Sequence, residues 1–265
     1  MTSIDDAALE RLCDVARMAG REIMRHYGTT AAWRQKADAS PVSIADVAAQ
    51  RVIVEALTAS DSTIPIVAEE STLPPAALRA TWRRYWLVDP LDGTKEFLAR
   101  NGEFTVNIAL IDEGAPVLGV VLAPAFDLIY YAGRGLGAWR QRGASRPERI
   151  SSGRWRVGQP VRVVESRSHP SPELEAFLAS IPVTERVRLG SSLKFCRVAE
   201  GSADLYPRFG PMMEWDVAAG DCVYRNSAAV GERPSPLRYN STDLRVAGFV
   251  VGSDAAAATR GGESA

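Results

Sequence analysis

The chain reads as an α+β protein in its first half, residues 1–153, and an α/β protein in its second, residues 154–265. Three observations lead there. Two helix-period stretches open the chain, a dense series of short apolar strands fills residues 64–140, and strands alternate with helices from Val161 onward. Ser3 with Asp6 suits a first helix cap. Leu9, Leu12, Ala16, Ala19 and Ile23 follow in steps of three and four and end near Gly28. Met18 and Met24 of this helix are expected to pack. A second helix is expected to start near Ser43, where Asp46 is either a capping-box partner or a catalytic group.

Strand signals follow at 64–68, 85–88, 104–111, 117–122, 128–132 and 138–140, with 112–116 as a hairpin loop. Gly133, Gly135, Gly137 and Gly143 punctuate turns. They form no dinucleotide fingerprint, since no G-x-G-x-x-G stands between a strand and a helix. A change of composition at 151–153 marks the boundary between the halves. Beyond it, strands are expected at 161–165, 187–189 and 204–206, and helices at 172–179, 193–200 and from Asp216 onward. The last residues, 254–265, are rich in Ala, Gly and Ser and read as disordered.

Charge and composition narrow the function. The 31 basic and 32 acidic residues of the 265 nearly cancel, so no basic face is available for duplex nucleic acid. The Arg-rich stretches at 140–149 and 154–156 are short, interrupted by Gly and Pro, and read as solvated loops. Cys13, Cys196 and Cys222 are too few and too scattered for a disulfide framework or a zinc site, and Cys196 and Cys222 read as small core residues. Only His26 and His169 are present, so a catalytic metal must be held by carboxylates, which favours Mg²⁺ over Zn²⁺. Neither a signal peptide nor a membrane span is visible. A cytoplasmic protein is therefore expected, with peripheral attachment to the inner face of the membrane left open.

Chemistry concentrates in Trp86-Leu87-Val88-Asp89-Pro90-Leu91-Asp92-Gly93-Thr94, a buried strand that ends in two carboxylates, a proline, a glycine and a hydroxyl. Pro90 fixes its own φ and Gly93 can adopt a positive one, so a tight turn can aim Asp89, Asp92 and the Leu91 carbonyl at one point. Three hard oxygens so arranged suit Mg²⁺. A helix opening at Thr94 would offer its first N–H groups to a phosphate. Glu69-Glu70 closes another apolar strand, and Glu214-Trp215-Asp216-Val217-Ala218-Ala219-Gly220 starts a small-residue helix. Carboxylates at three element ends are where an α/β scaffold usually keeps its function.

The ordered set E-E, D-P-L-D-G-T and W-D-x-A-A-G resembles the inositol monophosphatase superfamily. The stretches 40–46, 92–97, 101–108, 166–169, 190–196 and 206–211 are similar to its CysQ-type branch, the 3′(2′),5′-bisphosphate nucleotidases, and the likeness runs from about Lys36 to Gly220. The resemblance implies stacked αβαβα layers with a metal site at the junction of the two subdomains. It also implies Mg²⁺, two or three ions, and removal of the 3′-phosphate from adenosine 3′,5′-bisphosphate, with 3′-phosphoadenosine 5′-phosphosulfate as a second substrate. On this pattern Asp89 bridges two ions, Glu69 and the Leu91 carbonyl complete one, and Asp92 and Asp216 complete the other. Thr94, oriented by Asp46, would hold and deprotonate the attacking water, with no covalent intermediate. The amides of Gly93 and Thr94 would bind phosphate oxygens.

The same likeness puts Ser166, His169, Gly190 and Lys194 on the nucleotide side, with Arg208 toward the 5′-phosphate. Solvated surface charge is the other reading of Lys194 and Arg208. Lys36 and Asp38 would shape a loop over the metals, and inhibition by Li⁺ is expected. The pattern departs after the Asp216 helix, where Tyr224-Arg225-Asn226-Ser227-Ala228 replaces a Gly-Gly turn and Asn226 is expected to supply a left-handed cap. Two alternatives stand beside this reading. One is an inositol monophosphatase-like sugar phosphatase, and the other is a non-catalytic nucleotide sensor on the same scaffold. The oligomeric state is left open.

Overall fold

The computed structural model describes residues 3–28, 33–35, 41–228, 231 and 233–252. In chain order the elements are α1 (Asp6–His26), β1 (Trp33–Gln35), β2 (Pro41–Ser43), α2 (Ile44–Ser60), β3 (Ile66–Ala68), α3 (Ala76–Arg79), β4 (Arg84–Asp92) and α4 (Thr94–Leu98). Then come β5 (Thr105–Asp112), β6 (Ala115–Ala123), β7 (Leu128–Gly133), β8 (Gly137–Arg142) and β9 (Glu148–Arg149). The second half holds β10 (Val161–Ser166), α5 (Pro172–Ala179), β11 (Val183–Leu189), α6 (Leu193–Ala199), β12 (Leu205–Arg208), β13 (Met212–Met213), α7 (Glu214–Arg225), β14 (Arg245–Val246) and β15 (Phe249–Gly252).

Two sheets organise these elements. Strands β3 to β9 lie side by side in chain order, antiparallel except for the β3–β4 pair. The smaller sheet has the order β11-β10-β12-β15, parallel except for the last pair. Alternation along each strand sends side chains to opposite faces, and each face is covered. Trp86, Val88, Ile108, Leu110 and Val120 pack under α1 and α2 against Leu9, Leu12, Ile23, Ile53 and Leu57. The opposite face presents Tyr85, Leu87, Ala109, Ile111 and Val121 to α7 and α6, and that layer continues into Val164, Tyr206, Phe249 and Val251 of the small sheet. On the small sheet's far side Leu174 and Leu178 of α5 meet Val161, Val163, Leu205 and Val250. The order helices, sheet, helices, sheet, helix is the αβαβα stack expected of the sequence.

Helix α7 is the shared layer, and its small residues are what let it fit. A Cβ on Gly220 would come within 2.7 Å of the Phe195 side chain, and one on Gly119 of β6 within 2.5 Å of Cys222 Cβ and 2.9 Å of the Ala219 carbonyl. Gly119→Ala must therefore push α7 off the large sheet. It is expected to cost about 1–3 kcal/mol as an overpacked core. Thermal unfolding should show a lower Tm than wild type, and an unchanged Tm would mean that the contact yields freely.

Several local expectations are corrected. Asp5, not Ser3 with Asp6, caps α1: its side chain accepts from the Ala8 N–H at 2.7 Å, and Ser3 Oγ donates to the same carboxylate. Met18 and Met24 are exposed at 44 % and 36 %, because both fall on the outer face of α1. The 140–149 stretch is not a loop throughout. Arg140 belongs to β8, where it ion-pairs with Glu148 and Glu200. Asn226 is not left-handed: its φ is −88°, and both its backbone N–H and its side-chain amide donate to the Cys222 carbonyl, at 3.2 and 2.9 Å, closing the helix without a left-handed residue. Cys196 and Cys222 are buried free thiols, as is Cys13. Residues 36, 38 and 254–265 lie outside the described residues. Among the described residues no helix is long and apolar enough to cross a membrane.

Candidate active site

The site begins with a counting irregularity in β4. Asp89 stands opposite Asn107, and Asp92 stands opposite Thr105, so three steps on β4 face two on β5. The extra residue is a β-bulge at Pro90-Leu91, where proline has no N–H to give to the ladder. Without it Asp89 and Asp92 would point to opposite faces. With it both share the face of Tyr85 and Leu87, toward α7. The Leu91 N–H donates to Asp89 Oδ1 at 3.0 Å and closes the turn. Gly93 follows at φ +90°, a left-handed conformation that glycine adopts freely, and a Cβ there would crowd the Glu103 carbonyl at 3.3 Å.

Neighbouring elements bring the other carboxylates. The Glu69 N–H continues the β3–β4 pairing onto the Val88 carbonyl at 3.1 Å, which sets Glu69 beside Asp89. Asp216 sits in the first turn of α7 and accepts the Met213 N–H at 2.9 Å, as a capping residue does. Carboxylate oxygens of Glu69, Asp89 and Asp216 lie within 4.8 Å of one another. Asp92 is outside that trio, toward the amide of Asn107 at 3.2 Å. The same amide donates to Ser192 Oγ at 3.1 Å, and Ser192 donates to the Asp216 backbone carbonyl at 2.6 Å. Thr105 in turn donates to the Asn107 side-chain carbonyl at 2.9 Å. Asn107 and Ser192 thus tie β5 of the large sheet to the starts of α6 and α7 behind the acids.

The electrostatics call for a cation. Burial raises the Asp89 carboxyl well above its usual range, and Glu69, Asp92 and Asp216 push it further. Asp216 is raised by burial and by Asp92, and Asp92 by burial against the pull of Lys194 and the Asn107 amide. Clustered carboxylates that repel one another and offer only hard oxygens fit a divalent ion such as Mg²⁺. Asp46, 1 % exposed in the first turn of α2, lies with its Oδ1 3.3 Å from Thr94 Oγ1, and the Leu91 carbonyl is 3.4 Å from the same hydroxyl.

A cleft of about 210 Å³ opens from Asp92, Gly93, Thr94 and Asp216 to a basic wall built at the ends of β10, β11 and β12. Those three strands are parallel, so Ser166, Gly190 and Arg208 emerge at one edge, the usual ligand edge of such sheets. Lys194 and Arg208 are not surface charges: they are 4 % and 9 % exposed. Burial pushes the Lys194 ammonium down to about 8, with Asp92 opposing and Arg208 adding to the fall. Its Nζ donates to the Ser191 carbonyl and stands 5.5 Å from the centre of the Tyr206 ring. His169 faces Ser166 Oγ at 3.3 Å, and its imidazole pKa is lowered by desolvation and by Arg208. Sequence reasoning missed Ser191. This residue is left-handed at φ +48°, and its buried Oγ, like Arg208 Nε, has no partner within the protein. The signal available was a serine between Gly190 and Ser192 in the 190–196 stretch.

Comparison with known proteins gives this arrangement its relatives. A model of the Inositol monophosphatase family matches residues 5–258. The chain belongs to the inositol monophosphatase family. Within the family, the 3′(2′),5′-bisphosphate nucleotidase CysQ of Salmonella typhimurium is 50 % identical over 219 residues, 81 % of this chain and 86 % of the relative. The protein of the same name from Escherichia coli K12 is 49 % identical over 227 residues, 84 % and 88 % of the two. The crystal structure of CysQ from Bacteroides thetaiotaomicron superposes with a TM-score of 0.77 at 38 % identity, covering 93 % of this chain and 97 % of that one. The suhB structure of Bartonella henselae shares the family fold with a TM-score of 0.77 at 25 % identity, covering 97 % and 98 %.

Proposed function

We propose that this family member is a Mg²⁺-dependent 3′(2′),5′-bisphosphate nucleotidase, which converts adenosine 3′,5′-bisphosphate to AMP and phosphate and also accepts the 5′-phosphosulfate analogue. The single observation behind it is a cleft with two poles. At one end stand acids suited to cations, and at the other stands buried Lys194 beside Arg208 and Ser191, whose Nε and Oγ have no partner within the protein. A substrate with two phosphates on one ribose fits both poles, whereas an inositol monophosphate leaves the basic end unpaired. The relatives' names point the same way.

In this reading Asp89, Glu69, Asp92, Asp216 and the Leu91 carbonyl would hold two or three Mg²⁺ ions, Glu69 with the Leu91 carbonyl on one side of Asp89 and Asp92 with Asp216 on the other. Bound metal supplies Lewis acidity, which acidifies water and offsets charge on the phosphoryl oxygens. The protein's own groups do the rest. Thr94 holds the attacking water and relays its proton to Asp46, since a hydroxyl alone is a poor base. The Gly93 and Thr94 amides hold phosphate oxygens while the water oxygen bonds to phosphorus, the bond from phosphorus to the 3′-oxygen breaks, and the departing 3′-oxygen takes a proton from solvent. Ser166, His169, Gly190 and Lys194 line the nucleotide, and Arg208 with Ser191 takes the 5′-phosphate. The proposed setting is the cytoplasm.

The experiment is phosphate release from the bisphosphate, its sulfated analogue and inositol 1-phosphate, with Mg²⁺ and after EDTA. The expected result is a marked preference for the bisphosphate, silence in EDTA, and recovery when Mg²⁺ is returned. Full activity in chelated protein would exclude the mechanism. Preference for the inositol ester would favour the sugar-phosphatase alternative, and no release from any of the three would favour a nucleotide sensor.

A further inference from the structure

The loop after α4 grips the opposite wall of the cleft. Glu103 takes two parallel bonds from Arg167, at 2.8 Å from Nε and 2.7 Å from Nη2, and its Oε2 also accepts the Gly190 N–H at 2.8 Å. Arg167 in turn donates to the Arg188 carbonyl at 2.8 Å. Seven residues before Glu103, in α4, Glu96 accepts from Ser168 Oγ. These contacts leave no slack: a Cβ on Gly190 would lie 2.5 Å from the Glu103 carbonyl and 2.7 Å from Glu96 Cγ, and one on Gly93 would lie 3.3 Å from both the Glu103 carbonyl and Glu96 Oε2. The segment 96–103 is therefore wedged between Gly93, beside the acids, and Gly190, beside the basic wall.

We infer that Glu103 and Arg167, with Glu96 and Ser168, form a clasp that sets the distance between the two phosphate-holding poles, and so selects for a ribose bearing two phosphates. The inference rests on the nucleotidase reading. None of the four is a catalytic residue; they are positioning residues that act through Gly190 and the segments carrying Ser166, His169 and Lys194. A forked arginine–carboxylate pair fixes orientation as well as distance, which a lysine cannot do. Misplacing the basic pole affects only substrates that must reach both.

The test compares adenosine 3′,5′-bisphosphate with adenosine 3′-monophosphate, which has the same scissile bond and no second phosphate. In wild type the ratio of their kcat/KM values should be large. Arg167→Met and Glu103→Gln should each reduce that ratio about tenfold, as expected for modest misplacement. The change should fall in KM for the bisphosphate, with kcat for the 3′-monophosphate unchanged. Arg167→Lys should recover little, and the double variant should be scarcely worse than either single one. Because Arg167 is partly exposed, its replacement spares the core, and an unaltered Tm would document that. Equal kcat/KM for both substrates in wild type would overturn the underlying nucleotidase reading. A large wild-type ratio that the variants retain, or a parallel loss on both substrates, would overturn the clasp.

Discussion

Asp89→Asn is expected to lower turnover by roughly two to three orders of magnitude, the loss usual for a group that organises charge at the reacting centre. The change keeps the shape of a side chain that is 1 % exposed and already braced by the Leu91 N–H, so far-UV circular dichroism should be unaltered. Its stability should move in an informative direction. Without metal, wild-type Asp89 is buried among like charges and pushed up in pKa, so removing its charge relieves repulsion and should leave Tm equal or higher. With Mg²⁺, the rise in Tm that the metal gives wild type should largely disappear. Retention of more than a few per cent of activity would show that no bridging charge is needed at this position.

Thr94→Ala should depress kcat by roughly a hundredfold or more while KM changes little, because the lost hydroxyl matters only as the water begins to attack. Asp46→Asn should behave in the same way. The two oxygens are 3.3 Å apart across 48 residues of sequence, and a pair acting as one unit should make the double variant hardly worse than either single. Steady-state kinetics on the four proteins decides this. If Asp46→Asn lowers Tm and spares kcat, Asp46 serves the start of α2 and not the reaction.

The strands between 64 and 140 were legible because each carries a strong apolar run bounded by turn residues. Helix 172–179 was legible because its cap and its stripe agree. What escaped were elements defined by a partner and not by their own pattern. Strands β9, β13 and β14 are two residues long, and β15 takes its place from β12 and its register from the Leu205–Gly252 pairing. Helix α3 is a single turn. Within the site, the acids were legible as motifs, since turn and carboxylate chemistry are local. The depth of Lys194 and Arg208 was not: both become buried only when three parallel strand ends meet α6 and α7. Ser191 was hidden for a related reason, because nothing in its neighbours announces a left-handed serine.

The bulge at Pro90-Leu91 has a consequence for how such a chain can change over generations. Two aspartates meant for one side of an ordinary strand need one residue between them, and here there are two. The motif therefore depends on arithmetic as much as on side chains. Losing either Pro90 or Leu91 would keep both acids on one face but abolish the turn that the Leu91 N–H closes on Asp89, whereas a residue gained or lost within 85–88 would have to be absorbed by everything upstream. Shifting the upstream strand would swap Tyr85 and Leu87 with Trp86 and Val88, exchanging the residues that two separate cores are built around. Single-residue insertions and deletions should thus be purged from this stretch far more strictly than substitutions. The exposed stretch 156–160 ahead of β10 carries no such parity, and there a lineage can lengthen or shorten without disturbing the acids.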